Sequence, residues 1–356
     1  MKIERVDVRA VKAPMPEPHR TASGAITVSP LVLVQVTTGD GVTGNAIGFA
    51  YTEAALGALA EMARGIAPFV IGQDLAPATI TNALYAKFRL IGGQGIVAMA
   101  IAAYDMALWD AKARSAGVQL RELLGVGEKQ LKPYGAVGFD GVEGSAKAAE
   151  ALAKRGFLGI KAKIGYPDRA KDLEVVRAMR AAVGPDIALM VDYNQSLDAT
   201  EAEARIRMLD GEGLTWIEEP VLAHDWDALG RLAQVAATPM MAGENWWGLI
   251  DFQHAFNAGA RDRVMPDLGK CGGVTGWQRV TGLAAAHGIP VANHLWPEIS
   301  AQMLCATPGA VWLEFCDWWN PVLEDPLRMR GGLVDFEGVT GSGVSFDEGA
   351  VRNYLA

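Results

Sequence analysis

Between Ile160 and Glu244 the chain repeats one unit, a short apolar run that ends in charge. GIKAKIG delivers Lys161 and Lys163, ALMVDYNQ delivers Asp192 and Asn194, LTWIEEP delivers Glu218 and Glu219, and MMAGE delivers Glu244. The series continues through RVMPD to Asp267, IPVANH to His294 and WLE to Glu314. Helix-like segments such as DLEVVRAMRAAVG and TEAEARIRMLDGEG separate the runs. Short buried strands alternating with helices predict a parallel sheet closing into a (β/α) barrel. In that fold the reactive residues stand at the carboxyl ends of the strands. Charge at the same end of run after run therefore predicts a site on one mouth.

The rest of the chain is organised around this barrel. Residues 1–125 read as a separate α+β domain, with strands first (IERVDVRAVKAP, PLVLVQVTTGDGVTGNAIGFAY) and helical segments afterwards. Residues 14–29, PMPEPHRTASGAITVS, hold three prolines and a glycine. They read as a long loop and a candidate lid. The barrel is expected over 126–320. Residues 321–356, rich in turns and without a strong helix, form a tail expected to pack back on the first domain.

Composition excludes some partners. The formal net charge is −9 and no Lys/Arg run contradicts it, which argues against nucleic acid. No apolar stretch reaches the length of about 18 residues that a membrane helix needs. The N-terminus lacks the apolar core of a signal peptide. Cys271, Cys305 and Cys316 form no disulfide or zinc pattern, as suits a reducing cytoplasm.

The strand-end residues carry chemistry. Lys161 and Lys163, two apart on a strand, face the same side. Side by side and buried, each disfavours the other's charge, so one can act as a neutral base. An isolated Lys-x-Lys is ordinarily a solvated strand end; the run of charged strand ends around it argues otherwise. Asp192, Glu218 and Glu244 end consecutive strands, and three carboxylates brought together call for a cation. Oxygen donors favour Mg²⁺, with Mn²⁺ as the alternative. Glu218 and Glu219 are neighbours on a strand, so only one is expected to face inward. Asp267 beside His294 is the arrangement of a general base. Glu314 reads equally as a ligand, a hydrogen-bond donor or an ion-pair partner. A Lys or His base with a divalent ion is a known way to stabilise an enediolate.

VDYNQSLD, TWIEEP, GENWWG, MPD followed by GGVTGW, NHLWPEISA, ATP and WLE, in this order, resemble the enolase superfamily, and within it the mandelate racemase subgroup. The resemblance covers essentially the whole chain. It implies a (β/α)7β TIM-type barrel with an N-terminal α+β capping domain. It also implies Asp192, Glu218 and Glu244 as Mg²⁺ ligands, and Lys163 and His294 as acid/base catalysts on opposite faces of the α-carbon, with Asp267 orienting His294. Lys161 would contact the substrate carboxylate and depress the pKa of Lys163, Asn194 would bind substrate, and Glu314 would share a proton with the carboxylate oxygen. A small-molecule carboxylate substrate and a homo-oligomer, as large as an octamer, are implied as well.

The chain departs from that pattern where substrate is recognised. Ala136 stands where the racemases have a serine, and Glu17, His19 and Ser23 stand where an apolar lid is expected. Burying such groups against a phenyl ring would be costly, so mandelate is a poor substrate candidate, and Glu17 and His19 become candidate substrate contacts. Trp246, Trp247, Trp296, Trp318 and Trp319 fall near the mouth. They either pack the rim against the cap or line a pocket for a polar acid, hydroxylated or amine-bearing. The leading function is racemisation or epimerisation of an α-substituted carboxylic acid. The alternative is dehydration of a sugar acid or hydroxy acid through the same enediolate, and the third reading is a non-catalytic binding protein.

Overall fold

The computed structural model describes residues 1–21 and 24–356. The chain opens with a three-stranded antiparallel sheet of β1 (Ile3–Thr21), β2 (Gly24–Thr38) and β3 (Thr43–Phe49), with β2 in the middle. Pro30, Leu31, Val32, Leu33 and Val34 are all buried. Successive strand residues point to opposite faces, so β2 is covered on both.

Residues 14–21 and 24–29 are strand, not the loop expected from their prolines. They form the distal arms of β1 and β2, with His19 paired to Ile26 and Arg20 to Ala25, and with a register shift between Pro14 and His19. Pro14, Pro16 and Pro18 alternate along an edge strand, where a missing N–H on the outer side costs no ladder bond. Ser23 lies outside the described residues.

Helices α1 (Glu53–Val70), α2 (Pro77–Phe88) and α3 (Gly95–Ser115) follow. In α3 every residue from Ala98 to Leu108 is buried, so the helix is enclosed on all sides. It ties the first unit to the barrel: Trp109 Nε1 donates to Thr275 Oγ1 at 2.9 Å, and Thr275 N donates to Asp105 Oδ1 at 2.9 Å.

The barrel strands are β4 (Lys132–Val137), β5 (Gly159–Lys163), β6 (Ala188–Asp192), β7 (Leu214–Glu218), β8 (Met240–Ala242), β9 (Arg263–Val264) and β10 (Trp312–Glu314). They form one sheet in the order β10-β4-β5-β6-β7-β8-β9, and each neighbouring pair is parallel. The remaining stave is the stretch 289–294, which bridges β9 in parallel at Val264–Val291 and continues to Asp267–His294. Its seam with β10 is closed by a side chain. Asn293, fully buried, accepts from Glu314 N at 2.7 Å through Oδ1 and donates to Glu314 O at 3.2 Å through Nδ2. α-Helices follow each of the first seven staves, whereas β10 is followed directly only by a single 3-10 turn at Asn320–Val322, which is the (β/α)7β arrangement.

A separate cluster fills the barrel interior: Tyr134, Met190, Trp216, Met241, Met265 and Ala292, with Ala188 and Trp312 against it. Gly159 lies at the same level, since a Cβ there would come within 2.9 Å of Trp312 Cζ3 and 3.0 Å of Met190 Cε. The tail adds a two-stranded sheet, β11 (Arg328–Arg330) with β12 (Leu333–Asp335), and a short helix, Glu348–Asn353. Lys12 N donates to Tyr354 O at 2.8 Å and Ala356 N to Ala10 O at 3.0 Å, so the chain end lies along β1. No helix among the described residues is long and apolar enough to cross a membrane.

Candidate active site

The interior cluster aims the site. Two residues beyond Met190 stands Asp192, two beyond Trp216 stands Glu218, two beyond Met265 stands Asp267, two beyond Ala292 stands His294, and two beyond Trp312 stands Glu314. Lys161 and Lys163 follow Gly159 in the same rhythm. A period of two keeps each on the inward face, one layer above the apolar plug. Glu244 comes three residues beyond Met241; Gly243, at φ +127°, turns the backbone through a region closed to other residues and restores the inward aim.

Cations and carboxylates interleave here. Lys161 Nζ lies 2.6 Å from Glu218 Oε1, 2.9 Å from Glu314 Oε1 and 3.9 Å from Asp192 Oδ2. Lys163 Nζ donates to Asp192 Oδ2 at 3.1 Å and to Asn194 Oδ1. Burial opposes the charge on Lys161, but Glu218 and Glu314 outweigh it and hold the ammonium well above the usual lysine range. Burial likewise opposes the charge of Asp192, yet Lys163 and Lys161 keep its carboxyl below the usual range. Glu218 goes the other way, pushed up by burial and by Asp192, Glu244 and Glu314 against the pull of Lys161. Glu314 is held down despite burial, by Lys161 and His294. It accepts from Leu295 N at 2.9 Å, so in this arrangement it is an ion-pair partner.

Across the mouth, His294 Nδ1 lies 2.6 Å from Asp267 Oδ2, and His294 Nε2 lies 3.5 Å from Glu244 Oε2. Burial lowers the basicity of the imidazole, but Glu244 and the Asp267 hydrogen bond more than compensate. The 289–294 stave and β5 are separated by β10 and β4 on one side and by four strands on the other, so His294 and Lys163 rise from non-adjacent staves of the same mouth.

Glu219 overturns a simple strand argument. Alternation predicts that it faces away from Glu218, yet it is buried, bonded to Asn245 Nδ2 at 3.0 and 2.8 Å, and raised by burial and by Glu244 and Asp192. β7 ends at Glu218, and Glu219 has φ +39°, so alternation no longer governs it. Asn245 Nδ2 also reaches Glu244 Oε1 at 3.2 Å, and Lys270 Nζ donates to Asn245 Oδ1 at 2.7 Å. Asn245, Lys270 and Tyr51 carry no periodicity signal and were not singled out from the sequence. Tyr51 donates to Asp267 Oδ2 from the end of β3. Among the described residues the non-glycine positions with positive φ are Tyr51, Asn194, Gln195, Glu219, Leu295 and Trp296. All lie beside the residues above, the distribution expected where backbone strain serves a site.

The hairpin reaches the same place. His19 is buried, its ring centre is 5.1 Å from that of Trp318, and its Nε2 has no hydrogen-bond partner among the described residues. Burial first, and then Lys163, push its pKa down to about 4. Glu17 is exposed, and with His19 and Ala136 it lines a cavity of about 130 Å³. Trp246, Trp296 and Trp319 are packing residues, buried with their indole N–H groups on Ala223 O, Ile47 O and Glu298 Oε2. Trp318 is half-buried beside His19, whereas Trp247 lines a groove with Ile91 and Ile250.

The donor set suits a hard cation. Among the described residues no three metal-binding side chains are already gathered about one point. Lys161 Nζ and Lys163 Nζ pair with Glu218 and Asp192 where a cation would otherwise stand, and oxygen donors of this kind favour Mg²⁺.

The comparisons agree. The Mandelate racemase / muconate lactonizing enzyme, N-terminal domain, matches residues 4–125, and the Enolase C-terminal domain-like family matches residues 144–350. The L-talarate/galactarate dehydratase of Salmonella typhimurium is 31% identical over 335 residues, covering 92% of this chain and 83% of that protein. The D-galactarolactone cycloisomerase of Agrobacterium fabrum is 31% identical over 380 residues, covering 99% of each. An enolase from Bradyrhizobium, crystallised with magnesium and mandelic acid, superimposes with a TM-score of 0.96 at 43% identity, over 100% of this chain and 98% of that one. The chain belongs to the mandelate racemase/muconate lactonizing enzyme family of the enolase superfamily.

Proposed function

We propose that this enzyme removes the proton α to the carboxylate of a polyhydroxy acid and expels the β-hydroxyl from the resulting enediolate, releasing a 2-keto-3-deoxy acid. Asp192, Glu218 and Glu244 would hold the magnesium, which when bound would draw the charge growing on the carboxylate oxygens and so acidify the α-proton. Lys163 takes that proton from one face. His294, held by Asp267 on the other face, donates a proton to the departing hydroxyl, and it takes the α-proton itself when the epimeric α-carbon presents it on that face. Lys161 turns from Glu218 and Glu314 to the substrate carboxylate. Glu314, having lost its main counter-charge, then takes up a proton and donates it in a hydrogen bond to the enediolate oxygen. Asn194 binds substrate beside Lys163. Residues 1–125 serve as the cap, 126–320 as the catalytic barrel and 321–356 as the tail.

His19 carries the choice of a hydroxylated substrate. Its buried Nε2 lacks a partner among the described residues, and the ring is neutral at physiological pH. A neutral imidazole offers one donor and one acceptor, which suits a hydroxyl, and an unpaired buried nitrogen costs free energy until one arrives. The names of the relatives above, a galactarate dehydratase and a galactarolactone cycloisomerase, support acid-sugar chemistry. Racemisation is the second reading, favoured by the placement of Lys163 and His294 across the mouth. Ile91, Leu249 and Ile250, all exposed on one groove, support self-association into a homo-oligomer. The three free cysteines support a cytoplasmic enzyme.

The test is turnover in D₂O with Mg²⁺ on galactarate, L-talarate, galactonate and both mandelate enantiomers. Release of a 2-keto acid from a sugar acid supports dehydration. Exchange with inversion and no keto acid establishes racemisation instead. Mandelate as the best substrate would overturn the role given to His19.

A further inference from the structure

Three donors converge on Asp267. Lys270 N donates to Oδ1 at 3.0 Å, while His294 Nδ1, at 2.6 Å, and the Tyr51 hydroxyl share Oδ2. Asp267 is fully buried, so these donors stand in place of water. Two of them belong to the barrel. Tyr51 comes from the first unit of the chain, two residues beyond β3, with φ +60°. That backbone region is costly for a bulky residue and is retained where the surroundings dictate it. Here the surroundings are the site: the Tyr51 ring lies parallel to that of His294, with centres 6.4 Å apart and planes 5° apart, and Lys270 Nζ lies 4.3 Å from its centre.

We propose that Tyr51 is a positioning residue of the Asp267–His294 pair, which it completes from the capping side. Its hydroxyl fixes Asp267 Oδ2 toward His294, and its ring limits rotation of the imidazole. A carboxylate that receives donors at both oxygens faces the imidazole as an acceptor, so the ring carries its proton on Nδ1 and presents Nε2 to the substrate. Burial, reinforced by Asp267, holds the phenol well above its usual range, so the hydroxyl stays a donor. The consequence is asymmetry. Tyr51 acts on the His294 face of the substrate, and Lys163, across the mouth, does not depend on it. This inference rests on the two-base reading above, and its test is arranged so that the two can fail separately.

Tyr51→Phe removes one oxygen and keeps the ring. In the magnesium-loaded protein without substrate, the low-field proton resonance of the imidazole N–H shared with Asp267, assigned by its loss in His294→Asn, should shift or broaden in Tyr51→Phe. In D₂O with galactarate and L-talarate, which differ in configuration at one α-carbon, α-exchange on the His294 face should slow by about 10- to 100-fold, the range for losing one hydrogen bond to a charged group. Exchange on the Lys163 face should stay within about twofold, too little for the loss of such a bond. In Asp267→Asn, adding Tyr51→Phe should change nothing further. An unmoved resonance, or equal slowing on both faces, overturns the proposal. If the wild type exchanges on neither face, the two-base reading fails, and the resonance still decides the role of Tyr51.

Discussion

Lys161 Nζ lies 2.6 Å from Glu218 Oε1, a lysine ammonium paired with a proposed magnesium ligand in the floor of the mouth. The pairing keeps three buried carboxylates together before substrate arrives, because an unpaired buried charge is far more costly than a paired one. Lys161→Ala should therefore destabilise the metal-free protein by about 3–5 kcal/mol, the usual cost of breaking a buried ion pair. Magnesium should then raise its melting temperature by more than it raises that of the wild type. An equal rise in both would show that the ammonium and the metal do not stand in for one another.

The two adjacent glutamates separate by metal affinity. Glu218 follows the barrel rhythm, while both oxygens of Glu219 are taken up by Asn245. EDTA should abolish turnover and Mg²⁺ or Mn²⁺ restore it. Glu218→Gln should weaken Mg²⁺ binding in calorimetry by at least about 100-fold, and Glu219→Gln by about tenfold, as for a residue behind the ligands. The reverse order would exchange their roles.

Asp105 gives a pH dependence away from the site. Burial raises its carboxyl to about 6, against the hydrogen bonds from Thr275 and Thr81 that lower it. A raised folded pKa means that its contribution to stability is full below the unfolded carboxylate range and is lost as pH rises through about 6. Unfolding measured at about pH 4 and about pH 7 should show this loss, of order 3 kcal/mol, in the wild type and not in Asp105→Asn. Identical pH profiles would contradict it.

Gly159 links the plug to the catalytic layer. A methyl group there would lie 2.9 Å from Trp312 Cζ3 and 3.0 Å from Tyr134 Cβ. Overpacking of this kind costs about 1–3 kcal/mol. Because Trp312 sits two residues before Glu314, Gly159→Ala should lower kcat as well as stability. Denaturant unfolding and steady-state kinetics together check both effects.

The barrel and its strand-end residues were legible because a period of two is written directly into the sequence. Met190 with Asp192 and Trp216 with Glu218 are local pairs. What stayed hidden depends on long-range contact or on backbone that leaves the rule. Tyr51 meets Asp267 across more than two hundred residues. Glu219 escapes strand alternation through its positive φ. Asn293 closes the barrel seam with a side chain, and no spacing announces that. The strands at 14–21 and 24–29 stay hidden because prolines signal loops more often than edge strands, and which strand lies at an edge is settled only by the assembled sheet.

The central claim is that Lys163 and His294 act on opposite faces of one α-carbon. α-Deuterium exchange in D₂O, with the galactarate and L-talarate pair, tests it in His294→Asn and in Lys163→Ala. The account predicts that His294→Asn stops exchange from one member of the pair and leaves exchange from the other, and that Lys163→Ala does the reverse. If either single substitution stops exchange from both members while the protein remains folded and binds Mg²⁺, the two-base account is contradicted.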